Sequence, residues 1–173
     1  PKLGGSISVA SMLRASSSPV PFEDRSGILD SLIAWAHQDH GFSVQVIGGA
    51  GGTGKTRLGV ELCSRLSAKP DGGAPGWNTG FLQNDASEES IEGLACESVP
   101  RLVIVYYAES RREQVAALLR ACMSSDSTAP IRIVLLVRQP RSYIARDRTA
   151  AAWVNAIRPD NDEAVDQLLD EAE

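Results

Sequence analysis

The sequence lacks several features that would assign it to common classes of protein. Its 173 residues include only 5% aromatic residues and three cysteines, an odd number without the spacing of a metal site. This cysteine usage indicates reduced thiols, so we expect a cytoplasmic protein. No apolar run approaches the roughly 18 residues that a membrane-spanning helix needs. No basic segment followed by an apolar stretch predicts an export signal either.

The chain also has no excess of positive charge. It carries 17 basic and 22 acidic side chains, which gives a net charge of -5. An acidic balance disfavours a protein whose whole surface binds nucleic acid or anionic lipid, so we expect neither as a partner. Seven of the acidic residues lie after residue 159, where no basic residue occurs. The remainder of the chain is therefore mildly basic, as a phosphate site prefers.

The sequence does contain enough apolar material for one folded domain. Hydrophobic residues make up 43% of the chain, which suffices for a core at this length. Residues 1–20 are rich in Ser, Ala and Gly and are predicted to be a flexible arm or linker. Residues 21–158 are predicted to form the domain, and residues 159–173 an acidic helical tail. Because the chain begins with proline, we expect it to be a piece of a longer protein.

Predicted strands alternate with predicted helices along this domain. Strands are expected at residues 43–47, 102–107 and 131–137, and a weaker one near residues 80–82. Alternation of this kind is typical of a parallel sheet with helical crossovers. Two further short helices are predicted at residues 150–157 and 162–169, separated by Pro159. We therefore expect an α/β fold with a mainly parallel sheet.

One motif predicts the chemistry. Residues 49–56 fit the phosphate-binding loop G-x-x-x-x-G-K-[ST], between a β-rich strand and an amphipathic helix. Its glycines let backbone N–H groups point at phosphate oxygens, and the following helix adds its positive end. Lys55 is predicted to reach the terminal phosphates, and the Thr56 hydroxyl to ligate Mg²⁺. The predicted nucleotide-binding residues here are Gly49, Ala50, Gly51, Gly52, Thr53, Gly54, Lys55, Thr56 and Arg57.

The acidic residue that normally accompanies such a loop is missing. It is expected at the end of the neighbouring strand, where Tyr106 follows the apolar residues 102–105. A phenol cannot replace a carboxylate beside Mg²⁺ at neutral pH. Glu109 is the nearest acid in sequence. It is either a catalytic residue near the same edge of the sheet or a solvated residue before a helix.

Arginines follow the third predicted strand. Ligands of parallel sheets bind outside the carboxyl ends of the strands, so Arg138 is predicted to contact the terminal phosphate as a further catalytic candidate. Arg141, Arg146 and Arg148 form either a solvated surface or a lid over the phosphates. A GTPase is disfavoured because no Asn/Thr-Lys-x-Asp motif occurs in the sequence.

Several segments together resemble the bacterial STAND-type signalling NTPases. They are the phosphate loop with its flanks at residues 47–58, and the shorter residues 76–82, 107–111 and 135–138. The resemblance runs from about residue 21 to residue 138. It implies the three-layer sandwich of the P-loop NTPases. It also implies the switch behaviour of the STAND family, in which ADP holds a closed state and ATP permits assembly.

The resemblance also implies roles for individual residues. Arg138 corresponds to the sensor arginine of this family. Phe22 and Arg25 correspond to its Phe-x-Gly-Arg segment near the adenine, with Asp24 in place of the glycine. In one departure, Tyr106 stands where the family's Asp-Tyr-Ala-Glu pattern has its aspartate. In another, the chain is expected to be truncated before the family's last strand, helical lid and winged-helix region.

The main hypothesis is a module that binds ATP or ADP, with Mg²⁺, and acts as a switch in signal transduction, its hydrolysis weak or lost. Its expected partners are the nucleotide and either other protein domains or further copies in a longer chain. Two alternatives stay open. One is an active ATPase that uses Glu109, and the other is a small-molecule kinase whose lid contains the arginines after residue 140.

Overall fold

The computed structural model describes residues 22, 27–39, 41–68, 76–138, 152–157 and 162–172. Strands and helices alternate through most of this part of the chain. The helices are α1 (Ile28–Ala36), α2 (Lys55–Ser67), α3 (Glu88–Cys96), α4 (Arg112–Met123) and α5 (Asp162–Ala172), with a 3₁₀ turn at Ala108–Ser110. The strands are β1 (Phe42–Gly48), β2 (Asn78–Phe81), β3 (Arg101–Tyr106), β4 (Ile131–Val137) and β5 (Ala152–Ile157).

Five strands form one sheet in the order β2-β3-β4-β1-β5. The first four in this order are parallel, and β5 pairs antiparallel with β1. The α/β fold and the mainly parallel sheet predicted from the sequence are therefore confirmed. The carboxyl ends of β1, β3 and β4 lie at one edge of the sheet, where ligands of such sheets bind.

Helices cover both faces of the sheet. On one face α1 and α2 pack on side chains that include Leu102, Ile104 and Val134. On the other face α3, α4 and α5 pack on the alternate residues, among them Val103, Val105 and Ile133 in the strands. Because successive side chains of a strand point to opposite faces, a central strand must be apolar at nearly every position. The continuous apolar runs at residues 102–105 and 133–137 meet this requirement.

The segment before Pro159 differs from the sequence prediction. A short helix is predicted at residues 150–157, but the backbone of residues 152–157 forms β5, so that prediction is wrong. Trp153 pairs with Ile47 and Val154 with Val46 along the outer edge of β1. Backbone hydrogen bonding to an otherwise open edge strand overrides the weak helical preference of such a short segment.

The acidic helix α5 packs on the domain. Val165 and Leu169 are buried in the same apolar cluster as the inner face of α4. An ion pair of 2.8 Å between Arg112 Nη2 and Asp170 Oδ1 joins the two helices at the surface. The acidic side chains of Glu163, Asp166 and Asp170 are exposed, while Val165 and Leu169 extend the core.

Two arginines are buried inside the sheet strands. Arg132 is fully buried and donates hydrogen bonds to the carbonyl oxygens of Ala36 (3.1 Å) and Gln38 (2.6 Å) at the end of α1. Its guanidinium lies 5.8 Å from the ring of Trp35, and 6.0 Å from that of Trp77. Arg132 therefore anchors the carboxyl end of α1, whose last carbonyl groups have no partner within the helix.

None of the helices in the described part of the chain is long and apolar enough to cross a membrane.

Candidate functional site

The glycine-rich loop turns the chain from β1 into α2. Gly52 and Gly54 have φ angles of 81° and 87°, in the left-handed region that only glycine adopts without steric cost. Thr53 braces the turn, because its hydroxyl donates a 2.9 Å hydrogen bond to the carbonyl oxygen of Ala50. Gly54 at the N-cap position provides no side-chain cap for the first turn of α2. The amide groups of that turn therefore remain available to an anion.

Lys55 folds back over the loop that precedes it. Its Nζ donates to the carbonyl oxygens of Gly49 at 2.5 Å and Ala50 at 2.9 Å. Burial lowers the pKa of Lys55 below its ordinary 10.5, the Glu109 carboxylate raises it, and the Arg138 guanidinium lowers it. The ammonium group thus lies within electrostatic range of groups from the ends of two neighbouring strands, β3 and β4.

A cavity of about 460 Å³ lies at this edge of the sheet. The loop and the first turn of α2 form one wall, the residues at the end of β3 a second, and the end of β4 a third. Its lining consists of Gly51, Gly52, Thr53, Gly54, Lys55, Thr56, Arg57, Tyr106, Tyr107, Leu136, Val137 and Arg138. Three of these side chains are cationic, and the described lining contains no carboxylate. The cavity is therefore suited to an anion.

Two tyrosines occupy the end of β3. The ring of Tyr106 packs against the apolar cluster of α1 and α2, with its centroid 6.3 Å from that of Phe81 and 5.5 Å from that of Tyr107. Tyr107 adopts a left-handed backbone with φ of 53°, and its side chain is half exposed. The Arg138 guanidinium lies 5.0 Å from the Tyr107 ring centroid. Tyr107 thus provides an aromatic surface against which Arg138 rests.

Glu109 lies beside the site but outside the described lining of the cavity. It sits in the 3₁₀ turn after β3, and its Oε2 atom is buried without a hydrogen-bond partner among the described residues. Its carboxylate acts on the pKa of Lys55, so it lies within electrostatic range of the loop. The sequence interpretation of Glu109 as a solvated residue is wrong for this atom. Its catalytic role stays a prediction.

The sequence suggests no functional role for Arg111, which lies next to Tyr106 and outside the described lining of the cavity. Its guanidinium donates to the carbonyl oxygens of Leu82 (3.1 Å) and Gln83 (2.6 Å) and to the side chain of Gln114. The same group lies 5.7 Å from the centroid of the Tyr106 ring. Burial lowers the pKa of Arg111, and Tyr106 raises it. The only sequence signal was an arginine directly after the turn that ends β3.

The predicted site residues divide into three groups. The loop residues 51–57 and Arg138 line one cavity, and the preceding Gly49 and Ala50 contribute their carbonyl oxygens to Lys55. Phe22, expected near the adenine, packs half-buried against the cluster of α1 and α2 and is not part of the described lining. Arg25, and the arginines at positions 141, 146 and 148, lie outside the described residues.

The residues at the cavity do not fit Mg²⁺. The Thr56 side chain lines the cavity as expected of a ligand, but the partner position at the end of β3 holds the phenol of Tyr106. In phosphate sites Mg²⁺ is usually held by one or two carboxylates together with the substrate phosphates, and the described lining has no carboxylate. Across the described ranges, no group of three or more His, Cys, Asp or Glu side chains is arranged to hold a metal ion.

Comparison with protein-family models, with curated protein sequences and with solved structures gives no significant match to this chain.

Proposed function

We propose that this chain binds ATP and ADP through their phosphate groups, as the nucleotide-binding module of a STAND-type switch with the P-loop sandwich fold. One observation carries the proposal. The loop at residues 49–56, the uncapped first turn of α2 and three cationic side chains converge on one cavity of about 460 Å³. A polyphosphate chain is the anion that such a combination of backbone amides, helix end and spaced cations fits.

The three cations come from two elements of the fold. Lys55 and Arg57 belong to α2, whereas Arg138 follows β4. A phosphate oxygen would take the place of the carbonyl groups to which Lys55 now donates. Arg138 is suited to contact the last phosphate, since its side chain rests only on the exposed ring of Tyr107 within the described structure. Its position would then report whether the bound nucleotide is ATP or ADP, as the sensor role implies.

Weak or absent hydrolysis is part of the proposal. Activation of water beside a phosphate needs a base within hydrogen-bond reach of the reacting atoms, and the described lining offers no carboxylate. The Glu109 alternative would require its side chain to turn into the cavity. The kinase alternative depends on arginines outside the described residues, and no observation favours either one.

Isothermal titration calorimetry with ATP and with ADP tests the binding proposal. We expect both nucleotides to bind the wild type, and Lys55→Ala to weaken binding at least tenfold, because a charged phosphate contact is lost. Arg65→Ala is the matched control. Arg65 lies on the same helix, is exposed and pairs with Glu61 at 2.9 Å, away from the cavity. Absence of binding at millimolar nucleotide, or equal affinity of wild type and Lys55→Ala, would refute the proposal.

A phosphate-release assay tests the hydrolysis part. We expect the wild type and Glu109→Gln to release phosphate at the same rate as the buffer. Turnover by the wild type that the Glu109→Gln substitution abolishes would instead establish the ATPase alternative.

A further inference from the structure

We propose that this site takes its nucleotide as the metal-free polyphosphate, and that Mg²⁺ does not increase its affinity for the ligand. The inference rests on the proposed function, and it specifies the chemical form of the ligand. In it, protein side chains supply the positive charge that Mg²⁺ supplies in a magnesium-dependent phosphate site.

The first argument is the charge of the cavity. Its described lining contains Lys55, Arg57 and Arg138, and it contains neither Asp nor Glu. A magnesium complex carries less negative charge than the free polyphosphate, so it gains less from each surrounding cation. A magnesium ion held here would also face these cations without a carboxylate to offset them. The lining therefore favours the more highly charged, metal-free form.

The second argument is the group at the end of β3. Tyr106 pairs with Leu136 of β4 and follows Leu102 and Ile104 at alternate positions on the face that α2 covers. It thus holds the place from which a carboxylate would face the loop. A phenol is neutral at pH 7 and provides no charged ligand for Mg²⁺.

Arg111 also places a positive charge next to Tyr106 at the end of β3. The guanidinium lies 5.7 Å from the Tyr106 ring centroid, and the carbonyl oxygens of Leu82 and Gln83 hold it there at 3.1 Å and 2.6 Å. A second cation near the same ring would be repelled by this group. The Arg111 side chain cannot turn away without losing both of these hydrogen bonds.

The fourth argument concerns the one nearby acid. Glu109 does not line the cavity, and the charge it acts on is the Lys55 ammonium, whose pKa it raises. It therefore helps to keep Lys55 protonated for the phosphates. Since Glu109 acts on Lys55 and lies outside the described lining, the described cavity has no carboxylate that could hold a metal at the phosphate chain.

The test is calorimetric titration of the wild-type chain with ATP at one ionic strength, first in excess EDTA and then in excess MgCl₂. We expect the dissociation constant in EDTA to equal that in MgCl₂ or to lie below it. An affinity more than about threefold tighter in MgCl₂ would overturn the inference and leave nucleotide binding itself intact. No binding in either buffer would overturn both the inference and the proposed function.

Two variants test the reason for this behaviour. Tyr106→Asp introduces a carboxylate at the end of β3, and we expect binding at least tenfold tighter in MgCl₂ than in EDTA. Tyr106→Phe removes only the hydroxyl group and should keep the wild-type ratio. Circular dichroism tests whether each variant is folded. If Tyr106→Asp does not fold, the comparison of wild-type affinity in EDTA and in MgCl₂ remains the test of the inference. A folded Tyr106→Asp variant without any gain from Mg²⁺ would contradict the assigned role of Tyr106.

Discussion

The two buried arginines of the sheet should differ strongly in how much stability the protein loses when each is replaced by methionine. Arg132 and Arg101 lie in adjacent strands, are fully buried or nearly so, and differ in how well their guanidinium groups are paired. Arg132 donates to the carbonyl oxygens of Ala36, Gln38 and Gly41 at 3.1, 2.6 and 3.3 Å. Substitution by methionine keeps much of the apolar volume and removes these bonds.

The expected loss follows from those bonds. A hydrogen bond from a charged group contributes about 1.5–3 kcal/mol, and a buried carbonyl oxygen left without its donor costs about 1–3 kcal/mol. We therefore expect Arg132→Met to lower the free energy of unfolding by about 3–5 kcal/mol. Domains of this size have total stabilities of about 5–15 kcal/mol, so the effect should be large.

Arg101→Met is the matched control. Arg101 makes only two long hydrogen bonds, of 3.4 Å to Ala95 and 3.2 Å to Ser127, and its Nε and Nη1 atoms have no partner among the described residues. Replacing a poorly paired buried cation by an apolar side chain is often neutral or stabilising. We expect a change within about 1 kcal/mol of the wild type.

Urea unfolding, followed by far-ultraviolet circular dichroism, measures both variants. Equal losses for Arg132→Met and Arg101→Met would refute the reasoning, because burial alone, and not hydrogen-bond pairing, would then set the cost. A loss below about 1 kcal/mol for Arg132→Met would show that the end of α1 does not depend on this anchor.

Three further predictions follow from other parts of the structure. Gly59→Ala should lower the free energy of unfolding by about 1–3 kcal/mol, because the new Cβ would lie 3.1 Å from side-chain carbons of β2 and β3. At Gly93 on α3, an added Cβ would have no atom of the described structure within 4 Å, so Gly93→Ala should raise the free energy of unfolding by about 0.5–1 kcal/mol. Urea midpoints that shift in the same direction for the two glycine variants would contradict these two predictions. A thiol reagent should modify only the exposed Cys96 in the native protein, because burial raises the pKa of the Cys63 and Cys122 thiols to about 12. Rapid modification of all three thiols would contradict the burial of Cys63 and Cys122. Glu109→Gln should lower the pKa of Lys55 further, because it removes the carboxylate that raises this pKa. As the pH increases, the variant's Lys55 should lose its proton earlier, so its ATP affinity should begin to fall at a lower pH than that of the wild type. A pH profile identical to that of the wild type would show that Glu109 does not act on Lys55.

The regular part of the fold was predictable because its signals are local. The apolar runs of β3 and β4 and the four-residue spacing of Leu58, Leu62 and Leu66 in α2 each indicate one structure without reference to the rest of the chain. The glycine-rich motif likewise located the turn between β1 and α2. Position in a parallel sheet then sufficed to bring Arg138 to the same cavity as Lys55.

The remainder depends on contacts between distant segments. β5 was predicted as a helix because its pairing with β1 is not visible in residues 152–157. Arg132 appears in the sequence as a polar interruption of a strand, and its role emerges only when the end of α1 lies beside it. Arg111 and the buried Oε2 atom of Glu109 depend in the same way on how the 3₁₀ turn packs.

Amide hydrogen exchange with and without ATP tests most directly whether the loop at residues 49–56 binds the phosphate chain. The account predicts slower exchange in residues 51–57, whose amides would donate to phosphate oxygens, and little change in α3 and α5, which pack on the opposite face of the sheet. Unchanged exchange in residues 51–57 under saturating ATP, or protection confined to another part of the chain, would contradict it.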